Sequence, residues 1–208
     1  MIRFALACLI AFAALPARAE INVQELTTPG GTNVWLVEEP AIPFVALELR
    51  FRGGASLDAD GKRGATNLMV GLLEEGAGDL DSRAFAEATE ALAADFSYDI
   101  TDDRIAISAR FLSEDAEAAV ALLRKSVVMP NFDQTSLDRV RAQILSIIAS
   151  DLKSPSAIGA AAFNELVYGA HPYGSSENGT LESVAALTRA DIQAAHAAAM
   201  TRDQLYVS

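Results

Sequence analysis

The sequence predicts an α+β domain, an antiparallel or mixed sheet covered on one face by helices. Three observations predict it. Segments that alternate apolar and polar residues dominate the first half, the second half is nearly all helical in pattern, and a short strand-like run follows the last helix.

Residues 21–28 (INVQELTT) alternate like a strand, PGG turns the chain, and residues 32–39 (TNVWLVEE) form a second strand that pairs with the first as a hairpin. Residues 42–58 (IPFVALELRFRGGASLD) contain a longer strand, in which Phe44, Ala46 and Glu48 alternate with Val45, Leu47 and Leu49 before Gly53-Gly54. Residues 61–78 (GKRGATNLMVGLLEEGAG) read as an amphipathic helix. Ala65, Leu68, Met69, Leu72 and Leu73 make its buried stripe, Asn67, Val70 and Gly71 face away, and Gly76 and Gly78 end it. Residues 81–94 form the next helix, capped by Asp81 or Ser82, and residues 95–101 and 103–112 form two strands joined at Asp102-Asp103.

Ser113 is placed to cap a helix over 114–128, with acids in its first turn where the helix dipole favours them. MPNF breaks the pattern, a long helix covers 133–153, and Ser154-Pro155 starts another that runs to Tyr168. A loop, GAHPYGSSENGT, follows; Thr188-x-x-Asp191 resembles a capping box before IQAAHAAAM, and DQLYVS opens a strand. There is no internal repeat. The run ends mid-strand, the pattern of a fragment of a longer, two-domain product.

Length and composition fit one globular domain: 208 residues, 51% of them hydrophobic. The formal net charge of −12 opposes binding to phosphate backbones, so nucleic acid is not an expected partner; the scattered acids read chiefly as a solvated surface. Residues 1–19 (MIRFALACLIAFAALPARA) have the parts of a signal peptide: Arg3, an apolar run from Phe4 to Leu15 too short to span a bilayer, Pro16 and an Ala17-Arg18-Ala19 cleavage signal. The mature domain is then 20–208, exported and without a stable membrane anchor, with the periplasm of a Gram-negative bacterium as its expected place. The only cysteine, Cys8, leaves with the leader; with Ala5 where a lipobox needs leucine, it is not read as a lipidation site.

Local chemistry is sparse. His171 and His196 lack His-x-x-x-His spacing, and no G-x-S-x-G elbow, thiol nucleophile or phosphate loop follows from the mature sequence. Asn178-Gly179-Thr180 matches a glycosylation acceptor by chance in a chain with a bacterial-type leader. Glu74-Glu75 reads as a solvated helix end rather than an acid/base dyad.

The order of segments nevertheless resembles a known family. VALELRFRGGASLDADGKRGATNLMVGLLEEGAG, the SRAFAEATEALAADFSYDITDDRIAISARFL block with its P-x-F break, RVRAQILSIIASDLKSPSAIGAAAFNELVYGAHPYG and NGTLESVAALTRADIQAAH occur in the order and spacing found in insulinase-like (pitrilysin-type, inverted-zincin) metallopeptidases, the family that includes mitochondrial processing peptidase. The chain resembles the N-terminal domain of such a protein from about Val23 onward.

In active members, H-x-x-E-H on the first helix supplies two zinc ligands at i and i+4, with the glutamate between as general base; a later glutamate completes the set. The resemblance places these at Asn67, Val70 and Gly71, with the third ligand near Ile147 beside Ser146; Asp151 comes a turn too late. A neutral amide, an apolar side chain, no side chain and an isoleucine imply no catalytic residue, no metal ligand and no cofactor in this chain, leaving zinc to a catalytic partner. Glu74, seven residues after Asn67, is the one carboxylate expected on Asn67's face. The family's paired halves enclose a peptide chamber. The resemblance therefore implies a non-catalytic subunit of an exported zinc peptidase, joined as a heterodimer to a catalytic homologue and holding peptide substrate, in part by β-addition to an edge strand. The alternatives are an exported binding or scaffold protein of this fold, and a metallopeptidase with an unorthodox site built on His171 or His196.

Overall fold

The computed structural model describes residues 22–208. The expected leader, residues 1–19, and its expected cleavage site lie outside the described residues.

The strands are β1 (Gln24–Thr27), β2 (Asn33–Leu36), β3 (Phe44–Arg52), β4 (Gly76–Ala77), β5 (Leu80–Asp81), β6 (Asp95–Ile100), β7 (Arg104–Leu112) and β8 (Leu205–Val207). The helices are α1 (Ala65–Gly71), α2 (Ser82–Ala91), α3 (Ala116–Val128), α4 (Gln134–Asp151), α5 (Pro155–Tyr168), α6 (Leu181–Ala185) and α7 (Arg189–Ala199). Six strands form one mixed sheet in the order β1-β2-β8-β3-β7-β6, while β4 and β5 form a separate two-stranded hairpin. The predicted pairing of β1 with β2 is present, with Glu25 opposite Trp35. The C-terminal strand β8 enters the middle of the sheet, parallel to β2 and antiparallel to β3, with Leu49 opposite Val207.

Period-two alternation sets the faces of the sheet. Phe51 on β3 and Ile105, Ile107, Ala109 and Phe111 on β7 are buried, and the partly buried Val45, Leu47 and Leu49 pack with them. On the other face Phe44, Arg50, Arg52, Arg104 and Arg110 are exposed. Residues from α1, α3, α4 and α7 fill the core against the inner face, the one-sided α+β arrangement expected from the sequence.

Caps fix several helix starts. Asp81 accepts from the Ala84 amide at 2.8 Å, and Asp133 accepts from the Thr135 and Ser136 amides at 2.9 and 3.1 Å. Thr188 and Asp191 make the predicted capping box, and Thr180 makes a second one with Ser183. The hydrogen bonds to Asp133 hold its carboxyl below the usual range. Its stabilisation is therefore present above the ordinary carboxylate pKa and lost as pH falls through the depressed value. Asp133→Ala is expected to cost about 1 kcal/mol at neutral pH in chemical denaturation, and much less in acid.

Two expected boundaries move. Ser113 does not cap α3; it opens a 3-10 turn, Ser113–Asp115, and α3 starts only at Ala116 without a side-chain cap. The helix expected to run toward Gly76 ends at Gly71. The amides of Leu72, Leu73 and Glu75 bond three residues back, tightening the chain out of the α-helix. Gly76 then begins the β4–β5 hairpin with φ +111°, and a Cβ there would lie 2.8 Å from the Leu80 carbonyl oxygen, so this position requires glycine.

Candidate functional site

Helix α1 carries Asn67, Val70 and Gly71, the positions that the resemblance assigns to the metal-binding motif. Its entry is built by side chains from outside it. Asp58 accepts the Gly64 amide at 2.8 Å, the Thr66 amide at 2.8 Å and the Thr66 hydroxyl at 2.6 Å. Arg63 lies alongside and donates to Asp102 at 2.6 Å, to the carbonyls of Pro172 and Ser175 at 3.1 and 3.0 Å, to the Ser175 hydroxyl at 3.1 Å and to the Ala55 carbonyl. One guanidinium thus ties the β3–α1 connection, the β6–β7 turn and the loop after α5 together. Nothing in the local pattern around Arg63 marks this role, because its partners come from three separate segments.

The stripe Ala65, Leu68, Met69, Leu72 and Leu73 is buried as expected. Val70 departs from expectation. It is 3% exposed and belongs to the main core, not to a polar-facing surface. The reason is that α1 is short and enclosed on more than one side, by β6, α4 and α7. Asn67 is half-buried and donates to the Asn178 side chain at 2.8 Å, which gives the supposed glycosylation tripeptide a structural use. A Cβ at Gly71 would lie 3.1 Å from a methyl of Val140 on α4, so the helices approach closely there. Ile147 stands seven residues further along α4, near the Val140 edge of its buried stripe, and is 49% exposed.

The remaining polar candidates are held by other partners. Glu75 pairs with Arg139 and accepts the Ser82 hydroxyl at 2.8 Å. Glu74 lies beyond the end of α1, so the helical spacing that would have set it beside Asn67 does not exist. Partial burial, then the charge of Glu75, raise its carboxyl above the usual range. His196 Nε2 lies 2.8 Å from the Val127 carbonyl and its ring meets Phe132 edge-on, whereas His171 sits in an exposed turn with Nδ1 accepting the Tyr173 amide at 3.2 Å. Among the described residues no group of three or more His, Cys, Asp or Glu side chains is arranged to hold a metal ion. The residues at the motif positions do not fit zinc: Asn67 supplies a neutral amide already hydrogen-bonded, and Val70, Gly71 and Ile147 offer no donor.

Beside this helix, Phe85, Phe96, Tyr98, Thr89, Glu74 and Glu90 are among the residues that line a hollow of about 460 Å³. Burial pushes the Tyr98 phenol up to about 12, partly opposed by its 2.8 Å hydrogen bond with Ser126. A raised folded-state value means the stabilisation is complete below pH 10 and lost as pH rises from 10 through 12. Wild type is expected to lose on the order of 2 kcal/mol across that window. Tyr98→Phe should remove that pH dependence; urea titrations at pH 9 and near pH 12 compare the two.

Residues 33–177 match the sequence model of Insulinase (Peptidase family M16), well over half of the chain. The chain belongs to this family. Among similar proteins, Non-peptidase homolog YmxG of Helicobacter pylori (strain ATCC 700392 / 26695) is 25% identical over 170 residues, covering 82% of this chain and 39% of that protein. Uncharacterized zinc protease ML0855 of Mycobacterium leprae (strain TN) is 24% identical over 192 residues, covering 92% of this chain and 43% of that one. A crystal structure described as a peptidase M16 inactive domain from Pseudomonas fluorescens superposes with a TM-score of 0.86 at 31% identity, over 90% of this chain and 46% of that one. The chain therefore spans less than half the length of these relatives. The inactive and non-peptidase homologues, together with the motif positions, support a non-catalytic M16-fold protein.

Proposed function

We propose that this protein is the non-catalytic subunit of an exported, zinc-dependent M16 peptidase, pairing with a catalytic homologue to enclose peptide substrate. The observation that carries the reading is the state of α1. The M16 helix is intact and packed, but its ligand and base positions are Asn67, Val70 and Gly71, with Val70 buried in the core and Gly71 against Val140. Such a helix cannot bind zinc or activate water, so the family resemblance is served by its fold. Export rests on the pattern of residues 1–19. The sheet has β1 and β6 at its edges, either of which offers backbone groups to an extended peptide.

The test is to purify the protein, measure its zinc by elemental mass spectrometry, and assay peptide hydrolysis alone and with the H-x-x-E-H homologue from the same organism. The expected result is zinc far below one equivalent, no hydrolysis alone, and faster hydrolysis by the homologue when the two are mixed. Near-stoichiometric zinc with hydrolysis by the protein alone would overturn the reading. An unaffected homologue would favour a scaffold protein of this fold.

A further inference from the structure

Helix α5 has no buried residue along its fourteen positions, yet its sequence, PSAIGAAAFNELVY, is that of a core helix. Ile158 is 51% exposed, Phe163 62%, Leu166 85% and Val167 53%. Gly159, Ala162, Phe163, Leu166 and Val167 recur at i, i+3, i+4, i+7 and i+8, the spacing of one apolar face. The helix turns a different side to its own domain: Tyr168 meets Tyr173 edge-on at 5.5 Å between ring centres, and Glu165 lines the hollow shared with Arg63 and His171. At 3.6 residues per turn, Tyr168 lies about half a revolution, and Glu165 about a third of one, from the centre of the apolar stripe. Ile147 and Leu152, at the adjoining end of α4, are exposed as well.

We propose that the α5 stripe is the seat of a companion domain of the M16 fold. This rests on the paired-subunit reading and adds where the pair meets. Three observations select that occupant. Between Lys153 and Arg189 there is no lysine or arginine, which disfavours an anionic lipid surface. The stripe from Gly159 to Val167 extends about 12 Å along the helix, the scale of helix-on-helix packing rather than of a single side-chain pocket. The matched part of the Pseudomonas fluorescens chain is 46% of its length, so that protein carries further chain of similar extent beside the unit that corresponds to this one.

Photo-crosslinking in the native host tests the proposal, with benzoylphenylalanine placed in turn at Leu166, at Ser97 on the β6 edge, and at Glu87 on α2. The Leu166 probe is expected to attach to an M16-fold domain, in the same polypeptide or in a separate homologue, identified by the attached peptides; the Glu87 probe is not. Attachment of the Leu166 probe only to a second copy of this chain, to lipid, or to nothing overturns the proposal. If Leu166 captures an M16 domain but the mixed pair gains no hydrolysis, the surface stands and the catalytic pairing fails. If hydrolysis increases while only Ser97 captures the homologue, the pairing stands and this surface fails. Leu166→Asp provides the second measurement. It is expected to leave the isolated protein's melting temperature unchanged and to weaken binding of the captured domain at least about tenfold; unchanged binding overturns the proposal.

Discussion

Arg63→Ala is expected to destabilise the protein by about 3 kcal/mol, the range for breaking a largely buried charge pair, and to lower its melting temperature by about 6–12 °C. The Arg63 side chain is only 15% exposed and the neighbouring Asp58 side chain 2%. Removing the guanidinium strips hydrogen bonds from Asp102 and from the carbonyls of Ala55, Pro172 and Ser175 together, and leaves the Asp58 carboxylate without its cation. Arg63→Lys should recover little, because one ammonium cannot reproduce a fork that reaches several acceptors. Thermal melts followed by circular dichroism of the two variants check this. A change within about 0.5 kcal/mol for Arg63→Ala, the range of an ordinary surface substitution, would show that the network adds nothing to stability.

Val70→Glu is expected to cost about 3–4 kcal/mol, because it places a carboxylate among buried core side chains. Val70 is 3% exposed and packs in the same cluster as Leu68, Met69 and Leu72. Asn67→His, at a half-buried position, should be far milder. Gly71→His must displace Val140, since even a Cβ is tight at 3.1 Å. Restoring the motif through Asn67→His, Val70→Glu, Gly71→His and Ile147→Glu together is therefore expected to yield an unstable protein rather than a peptidase. Urea unfolding of the single and combined variants, with zinc content measured on each, decides it. A combined variant that is as stable as wild type and holds one zinc would show that the site is merely unoccupied by the right side chains and not closed by packing.

Much of the fold was legible because local physics and tertiary packing agree. Alternation located β1, β2, β3, β6 and β7; Ser154-Pro155 marked the start of α5; Thr188 and Asp191 marked the start of α7. The errors occur where a local signal competes with packing. Ser113 looks like a cap, but the chain makes a 3-10 turn first. The stripe through Leu72 and Leu73 suggested a longer α1, yet both side chains are buried just beyond the helix end, on a chain already tightening toward Gly76. The family resemblance placed the motif at Asn67, Val70 and Gly71, but the packing around those positions could not be read from it. Val70 reads as an outward residue on a helical wheel, and a wheel assumes one buried face. Contacts of α1 with β6, α4 and α7 give it more than one.

The sequence by itself determined the α+β class, the alternation of the long strands and the starts of α2, α4, α5 and α7, because periodicity and capping act within a few residues. Only the tertiary structure decided that β8 enters between β2 and β3, that Asp58 and Arg63 hold the entrance to α1, that Val70 is core and that the apolar stripe of α5 lies uncovered. Each of these depends on which distant segments meet. Contacts separated by many tens of residues, as between Arg63 and Ser175 or Leu49 and Val207, leave no period in the local sequence from which they could be read.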